Sequence, residues 1–271
     1  MGTIQRIFSK KNRALLTQLV KTDFKLRYQG SIVGYLWSLL RPLFMFLILY
    51  TVFTTVFPIG RGVPHYPVYL FIGIILWNFF TEMTQQSLGS IVGRGDLIRK
   101  IRIPRWMIVF GTSLNALINL FLNLAVLAVF MVLNHVDVMV SVFWLPCIII
   151  EVYVLGLGAS FFLAALFVRF RDIQYIWEVA IQAGFYLTPI LYPLTRITEP
   201  MLQKLVFMNP MAQAIQDARY SIVSHDQSVI TIWRVFEGGW YALLPLVVVV
   251  IVIVLGISYF RSQQNSFAEN L

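Results

Sequence analysis

Charged side chains are scarce in this sequence. Only 12% of its 271 residues are Asp, Glu, Lys or Arg, against about 25% in soluble domains. Hydrophobic residues make up 59%, and the mean hydropathy is +0.77. That balance excludes a water-soluble fold and describes a polytopic membrane protein. The single cysteine, Cys147, lies in an apolar run, which excludes a disulfide framework and a thiolate metal site. His65, His135 and His225 lack metal-ligand spacing and fall outside the apolar runs, so neither a metal centre nor a serine–histidine intramembrane protease is expected. No Gly-Lys dipeptide occurs, so the chain has no phosphate-binding loop of the type that cradles ATP. A secretory leader is not expected either. Seven basic residues precede the first apolar run, which is longer than a leader's apolar core and ends at no small-residue cleavage site.

What the chain has instead is long apolar runs. Segments of about 20 apolar residues predict an all-α membrane protein with six spans, at roughly 36–57, 68–91, 107–133, 143–168, 173–194 and 240–260. Residues 1–271 then form a single transmembrane domain. Trp106, Trp144, Trp177 and Trp240 each fall near a predicted span end, the level that interfacial tryptophans prefer. With the N-terminus inside, sixteen Lys and Arg residues lie on the cytoplasmic side and five outside, namely Arg61, Arg196, Lys204, Arg219 and Arg234. Both termini are therefore expected in the cytoplasm. The net charge of +9 is thus read as topology, and nucleic acid is not an expected partner. Arg41, slightly inside the first span, is expected to extend its stem back to the inner interface.

Three segments outside the spans carry further pattern. Leu16, Val20, Phe24 and Tyr28 recur every fourth residue with Leu15 and Leu19 beside them, while Arg13, Lys21 and Lys25 fall opposite. Such a helix lies in a membrane interface, within reach of lipid head groups. The loop at about 93–106 sets five basic residues around Leu97, Ile98, Ile101 and Ile103. It is either a short helix parallel to the membrane, ended by Pro104, or charge that only fixes topology. The outer segment, about 195–239, is far longer than a turn requires. Its two apolar pieces, MLQKLVF and MAQAIQDARYSIV, are separated by Asn209-Pro210, predicting two short helices at or dipping into the outer leaflet.

Polar residues within the spans suggest where water runs. Asn78, Glu82 and Gln85 share a face of the second span, with Thr81 and Gln86 flanking it. Asn115, Asn119 and Asn123 form an amide stripe on the third, which either lines a path or hydrogen-bonds neighbouring helices. Glu151 lies in the fourth span, and Glu178, Gln182 and Tyr186 line one side of the fifth. Intramembrane carboxylates face a bundle interior or an aqueous path. Val249 and Ile253 of the sixth span are expected to face lipid. Gly156, Ser160 and Ala164 mark close helix packing, and Pro189 and Pro193 should kink or end the fifth span.

Five stretches, in this order, resemble the permease subunits of type-2 ABC exporters of the polysaccharide, O-antigen and teichoic acid group. They are DFKLRYQGSIVGYLWSLLRPL (23–43), DLIRKIRIPR (96–105), FRDI (170–173), LTPILYP (187–193) and MNPMAQAIQDARY (208–220). Arg41 departs from the pattern of many relatives, which carry an uncharged residue before the proline. The resemblance implies an amphipathic interface helix at about 10–29 and a cytoplasmic coupling helix at about 94–104. It also implies two short outer gate helices between spans five and six. The partners it implies are a second copy of this chain and two ABC ATPase subunits, which would hold the ATP and Mg. No cofactor is expected in this chain itself. The place is the bacterial inner membrane, and the substrate a lipid-linked polysaccharide such as O-antigen, capsule or wall polymer.

Lys25, Arg27 and Tyr28 would then receive the polyprenyl diphosphate. Tyr35, Trp37, Asn78, Glu82, Gln85, Asn115, Asn119 and Tyr186 would line the translocation path. Asp96, Leu97, Arg99, Ile101 and Arg102 would contact the ATPase. Two alternatives stay open on the sequence: a type-2 ABC exporter of small drugs or ions, and a membrane-embedded lipid-phosphate enzyme.

Overall fold

A computed structural model of the chain describes residues 10–28, 34–57, 60, 62–95, 103–223, 229–264 and 267, without the side chains of Lys11, Phe24, Leu26, Arg27, Tyr28 and Tyr35. Every regular element among them is helical. In chain order these are α1 (Lys10–Tyr28), α2 (Trp37–Thr51, continued by a π-helical stretch over Val52–Val56), α3 (Tyr66–Leu88), α4 (Trp106–Leu133) and α5 (Leu145–Arg169). Then come α6 (Ile173–Leu187), α7 (Pro200–Phe207), α8 (Pro210–Ile222), the short α9 (Ile232–Val235) and α10 (Leu244–Gln263). The chain is a multi-pass membrane protein. Trp37–Val56, Tyr66–Leu88, Trp106–Leu133, Val140–Arg169 and Trp240–Gln263 are long and apolar enough to cross a bilayer. Their ends lie within about three residues of the expected boundaries.

The expected span at about 173–194 differs. Its helix, α6, has 15 residues, or about 22 Å, where the hydrocarbon core is about 30 Å thick. Pro189 is the reason. A proline ring pushes the preceding residue out of helical geometry, and Thr188 is extended, at φ −85° and ψ 137°. Residues Thr188 to Leu191 then turn inside the protein, all buried.

Backbone released from a helix at that depth must find partners within the protein. Arg219 of α8 supplies them. Its guanidinium donates to the carbonyls of Pro189 (2.5 Å) and Ile190 (2.7 Å). It also donates to Tyr69 O at 3.0 Å and Gln216 Oε1 at 2.8 Å, and lies over the Tyr69 ring, 3.6 Å from its centroid. The side chain is 0% exposed, so it is not a free topological charge, as the sequence count had taken it. Gly73 of α3 lets it approach, since a Cβ there would sit 2.8 Å from Arg219 Nη2.

Helix α3 is the hub, buried over almost its whole length and packed on α2, α4, α5, α6 and α8. The small-residue stripe of α5 seats it as expected. Ser160 Oγ donates to Met83 O at 3.2 Å, and a Cβ on Gly156 would run into Met83 Cε. Elsewhere on α5, Gly158 meets Gly256 of α10 backbone to backbone, and a Cβ on Gly158 would fall 2.6 Å from Ile253 Cα. This crossing overturns the expectation for α10. Val249 is buried and Ile253 packs on Gly158, while Leu246, Val247, Val250, Ile251, Val254 and Leu255 are the exposed positions.

Helix α1 has the expected two faces. Leu15, Leu16, Leu19 and Val20 are half-buried, and Arg13, Lys21 and Lys25 are exposed. It packs on α4, where Leu16 and Leu19 lie against Gly111. Asp23 forms an ion pair with Arg94, at the close of the 3₁₀ turn after α3. The segment expected on the outer side folds into α7 and α8, broken at Asn209-Pro210 as the sequence predicts. Asn209 Oδ1 caps α8 by accepting from Met211 N at 3.0 Å. Pro200 and Pro210 occupy first helical positions, where a missing N–H costs nothing.

Candidate functional site

The site begins at a proline. Pro42 lies inside α2 and cannot donate to the carbonyl one turn earlier, that of Ser38. Asn123 Nδ2 from α4 reaches that carbonyl through a long hydrogen bond of 3.5 Å, and also donates to Asn119 O at 2.8 Å. Asn119 Nδ2 in turn donates to Glu82 Oε1 of α3 at 2.5 Å, where Gln86 Nε2 also donates at 2.7 Å. An intramembrane charge costs roughly 2.5–3.5 kcal/mol on insertion scales. Two amides on one carboxylate oxygen offset part of that cost, and open space beside Glu82 offsets more.

That space is a cleft of about 340 Å³ between three helices. Helix α2 supplies Trp37, Ser38, Arg41 and Pro42, α3 supplies Asn78, Thr81, Glu82, Gln85 and Gln86, and α4 supplies Asn119. Trp37 is 48% exposed, so its indole face is available for stacking. Arg41 is exposed and makes no ion pair or hydrogen bond among the described residues. The cleft thus offers a free cation, a clamped carboxylate, several amides and an aromatic face. Such a set binds hydroxyl-rich or phosphorylated chains through many weak contacts.

Of the expected path residues, the fold brings Trp37, Asn78, Glu82, Gln85 and Asn119 to this cleft. Asn115, one turn from Asn119, is buried outside it, and its Oδ1 accepts no hydrogen bond. Tyr186 is exposed on α6 and does not line it. Lys25 is exposed on α1. The side chains of Arg27, Tyr28 and Tyr35 lie outside the described residues, as do Asp96, Leu97, Arg99, Ile101 and Arg102. Arg41 was missed as a lining residue, although it stands four residues from Trp37 and therefore shares its helix face. Trp177, expected at an interface, donates from Nε1 to Thr84 Oγ1 at 3.1 Å, one turn from the end of α3, and packs on Phe80.

At the expected outer end of the bundle, a second polar group joins α5 to α8. Gln213 Nε2 donates to Asp217 Oδ2 at 2.7 Å and to Glu151 Oε2 at 3.4 Å. Burial pushes the Asp217 carboxyl up to about 6, with the Gln213 amide opposing that rise.

Residues 14–223 match the family model described as ABC-2 type transporter. The chain is 28% identical over 260 residues to the O-antigen export system permease protein RfbA of Myxococcus xanthus, covering 96% of each chain. It is 29% identical over 263 residues to the protein of the same name from Klebsiella pneumoniae, covering 95% of each. A second Klebsiella pneumoniae RfbA is 27% identical over 263 residues. With most of its length under one family model, the chain belongs to the ABC-2 type transporter family.

Proposed function

We propose that this chain is the permease subunit of an ATP-driven exporter that moves a lipid-linked polysaccharide of the O-antigen kind across the bacterial inner membrane. Near full-length similarity to O-antigen export permeases carries the reading. The polar cleft supports it, because a hydrated glycan crossing a bilayer needs amide, carboxylate and aromatic contacts at membrane depth. Arg41 joins Lys25, Arg27 and Tyr28 as a candidate for the diphosphate, since guanidinium pairs bidentately with phosphate. Trp37 is the stacking surface, and Asn78, Gln85, Glu82 and Asn119 line the wet wall. Tyr35, Asn115 and Tyr186 remain candidates for path positions outside the cleft.

In this reading both termini are cytoplasmic and α6, with its return to 194, serves as the fifth of six crossings. Helix α1 is the interface gate helix, and α7 and α8 are the outer gate. The segment at about 94–104 couples to an ATPase subunit through Leu97 and Ile101, with Asp96, Arg99 and Arg102 around them. Two copies of the chain and two ATPases complete the assembly, and ATP and Mg belong to the ATPases.

Cysteine accessibility during transport tests the path. In a Cys147→Ser background, Asn78→Cys and Gln85→Cys should react with a membrane-impermeant thiol reagent, whereas Val250→Cys and Val254→Cys on the exposed face of α10 should not. Labelling of α10 with protection of both cleft positions would refute the assignment.

A further inference from the structure

A second cavity shares no residue with the cleft. It measures about 890 Å³ and lies where α5 begins, between the 3₁₀ turn Val140–Trp144, α8 and the segment at Thr231 to Arg234. Its volume falls within the roughly 300–1,000 Å³ typical of small-molecule sites. Trp144 and Trp233 line it and are exposed, which sets it at the level where tryptophan meets head groups.

Its charges are arranged unevenly. The exposed Arg234 side chain has no hydrogen bond, ion pair or ring partner among the described residues. Asp217 also lines the cavity, and behind it acceptors outnumber donors. One amide, that of Gln213, serves both Asp217 and Glu151. Glu151 Oε1 and Gln213 Oε1 are buried and accept nothing, and Gln213 is only 7% exposed. Turning the amide over would only change which oxygens go without a donor. Buried acceptors in that state are costly; neither Glu151 nor Gln213 lines the cavity, so a cation bound there would meet Asp217, the carboxylate of the group that does. A cation and a carboxylate that line one cavity without forming an ion pair with each other are the complement of a zwitterion.

We propose that this cavity binds the head group of an ethanolamine phospholipid, with its ammonium at Asp217 and its phosphate at Arg234. The ammonium of ethanolamine carries three N–H donors, and the indole faces nearby also favour a cation. A choline head group has no N–H to give, and a glycerol head group has no cation. A neutral glycan can hydrogen-bond to both side chains but brings neither a cation for Asp217 nor an anion for Arg234. The orientation from the positive-inside bias places the lipid in the outer leaflet, but the binding chemistry does not depend on the transported substrate.

The test is native mass spectrometry of the delipidated chain titrated with short-chain phosphatidylethanolamine, phosphatidylcholine and phosphatidylglycerol, alongside a neutral oligosaccharide. The wild type should retain the ethanolamine lipid about tenfold better than the choline lipid, the scale of one charge-assisted hydrogen bond. Asp217→Asn should erase that preference. Arg234→Gln, an exposed change that leaves the core intact, should weaken both lipids about tenfold. Equal retention of ethanolamine and choline lipids by the wild type would overturn the proposal. So would unchanged binding in Arg234→Gln, or displacement of lipid by the oligosaccharide. If Asp217→Asn does not fold, the wild-type lipid panel and Arg234→Gln still decide.

Discussion

At the residue scale, Arg219 shows how a break within a membrane bundle is stabilised. Its donors meet carbonyls of two separate segments, the turn at Pro189–Ile190 and helix α3 at Tyr69. Removing it would leave the Pro189 and Ile190 carbonyls buried without their donor, at about 1–3 kcal/mol each. Arg219→Leu should therefore cost at least about 2 kcal/mol and reduce the folded yield sharply. Arg219→Lys should recover only part of it, because an ammonium cannot span the same fork of acceptors. A Tm for Arg219→Leu within two degrees of wild type would contradict this role. Asp217 offers a second measurement. Burial raises its folded carboxyl to about 6, above the ordinary carboxylate range near 4. Between those values the folded state holds a proton that the unfolded state releases, so this group adds stability as pH falls through that window. The lipid-free wild type should gain thermal stability from pH 7.5 to pH 5, and Asp217→Asn should gain less. Equal pH responses would show that the carboxyl is not raised.

At the element scale, what is local in physics was legible in the sequence and what is pairwise was not. Apolar run length gave five spans to within a few residues, and Asn209-Pro210 gave the break between α7 and α8. Pro189 gave the end of α6, although not the buried turn that follows, because that turn depends on Arg219, distant in sequence. The polar face of α3 was legible as a face, and Asn78, Thr81, Glu82, Gln85 and Gln86 all line the cleft. Its closure by Pro42 and Arg41 required knowing that α2 lies beside it. The sharpest failure is α10, where a run of valines and isoleucines carries no periodicity to say which side is covered. Two glycines decide it. The contact of Gly158 with Gly256 leaves no room for a Cβ. Gly256→Val should therefore push α10 off α5 and cost about 1–3 kcal/mol or more, whereas Val254→Ala, on the exposed face, should be close to neutral. Comparable thermal stability for the two variants would show that the close crossing does not form.

At the scale of the whole molecule, α6 is the element that a single copy leaves uncovered. Ile181 is its one buried residue among the described ones, while Tyr175, Ile176, Val179, Tyr186 and Leu187 are exposed around it. A 15-residue helix with so few neighbours is too short to be held by lipid contact alone, and it also carries Glu178 and Gln182 on an exposed side. Lipid would disfavour that carboxylate, whereas a second protein surface or an aqueous path between two copies would accept it. Homo-oligomers most often close by a two-fold axis, on which a residue meets its own counterpart. If α6 lies at such an axis, Val179→Cys in a Cys147→Ser background should form a disulfide between two copies on mild oxidation in native membranes. The same replacement at Val250, on the exposed face of α10, should not. In the proposed assembly the crosslinked pair should still stimulate a separate ATPase subunit. Efficient crosslinking through Val250 in place of Val179 would move the dimer to the α10 face and leave the polar side of α6 without a covering surface.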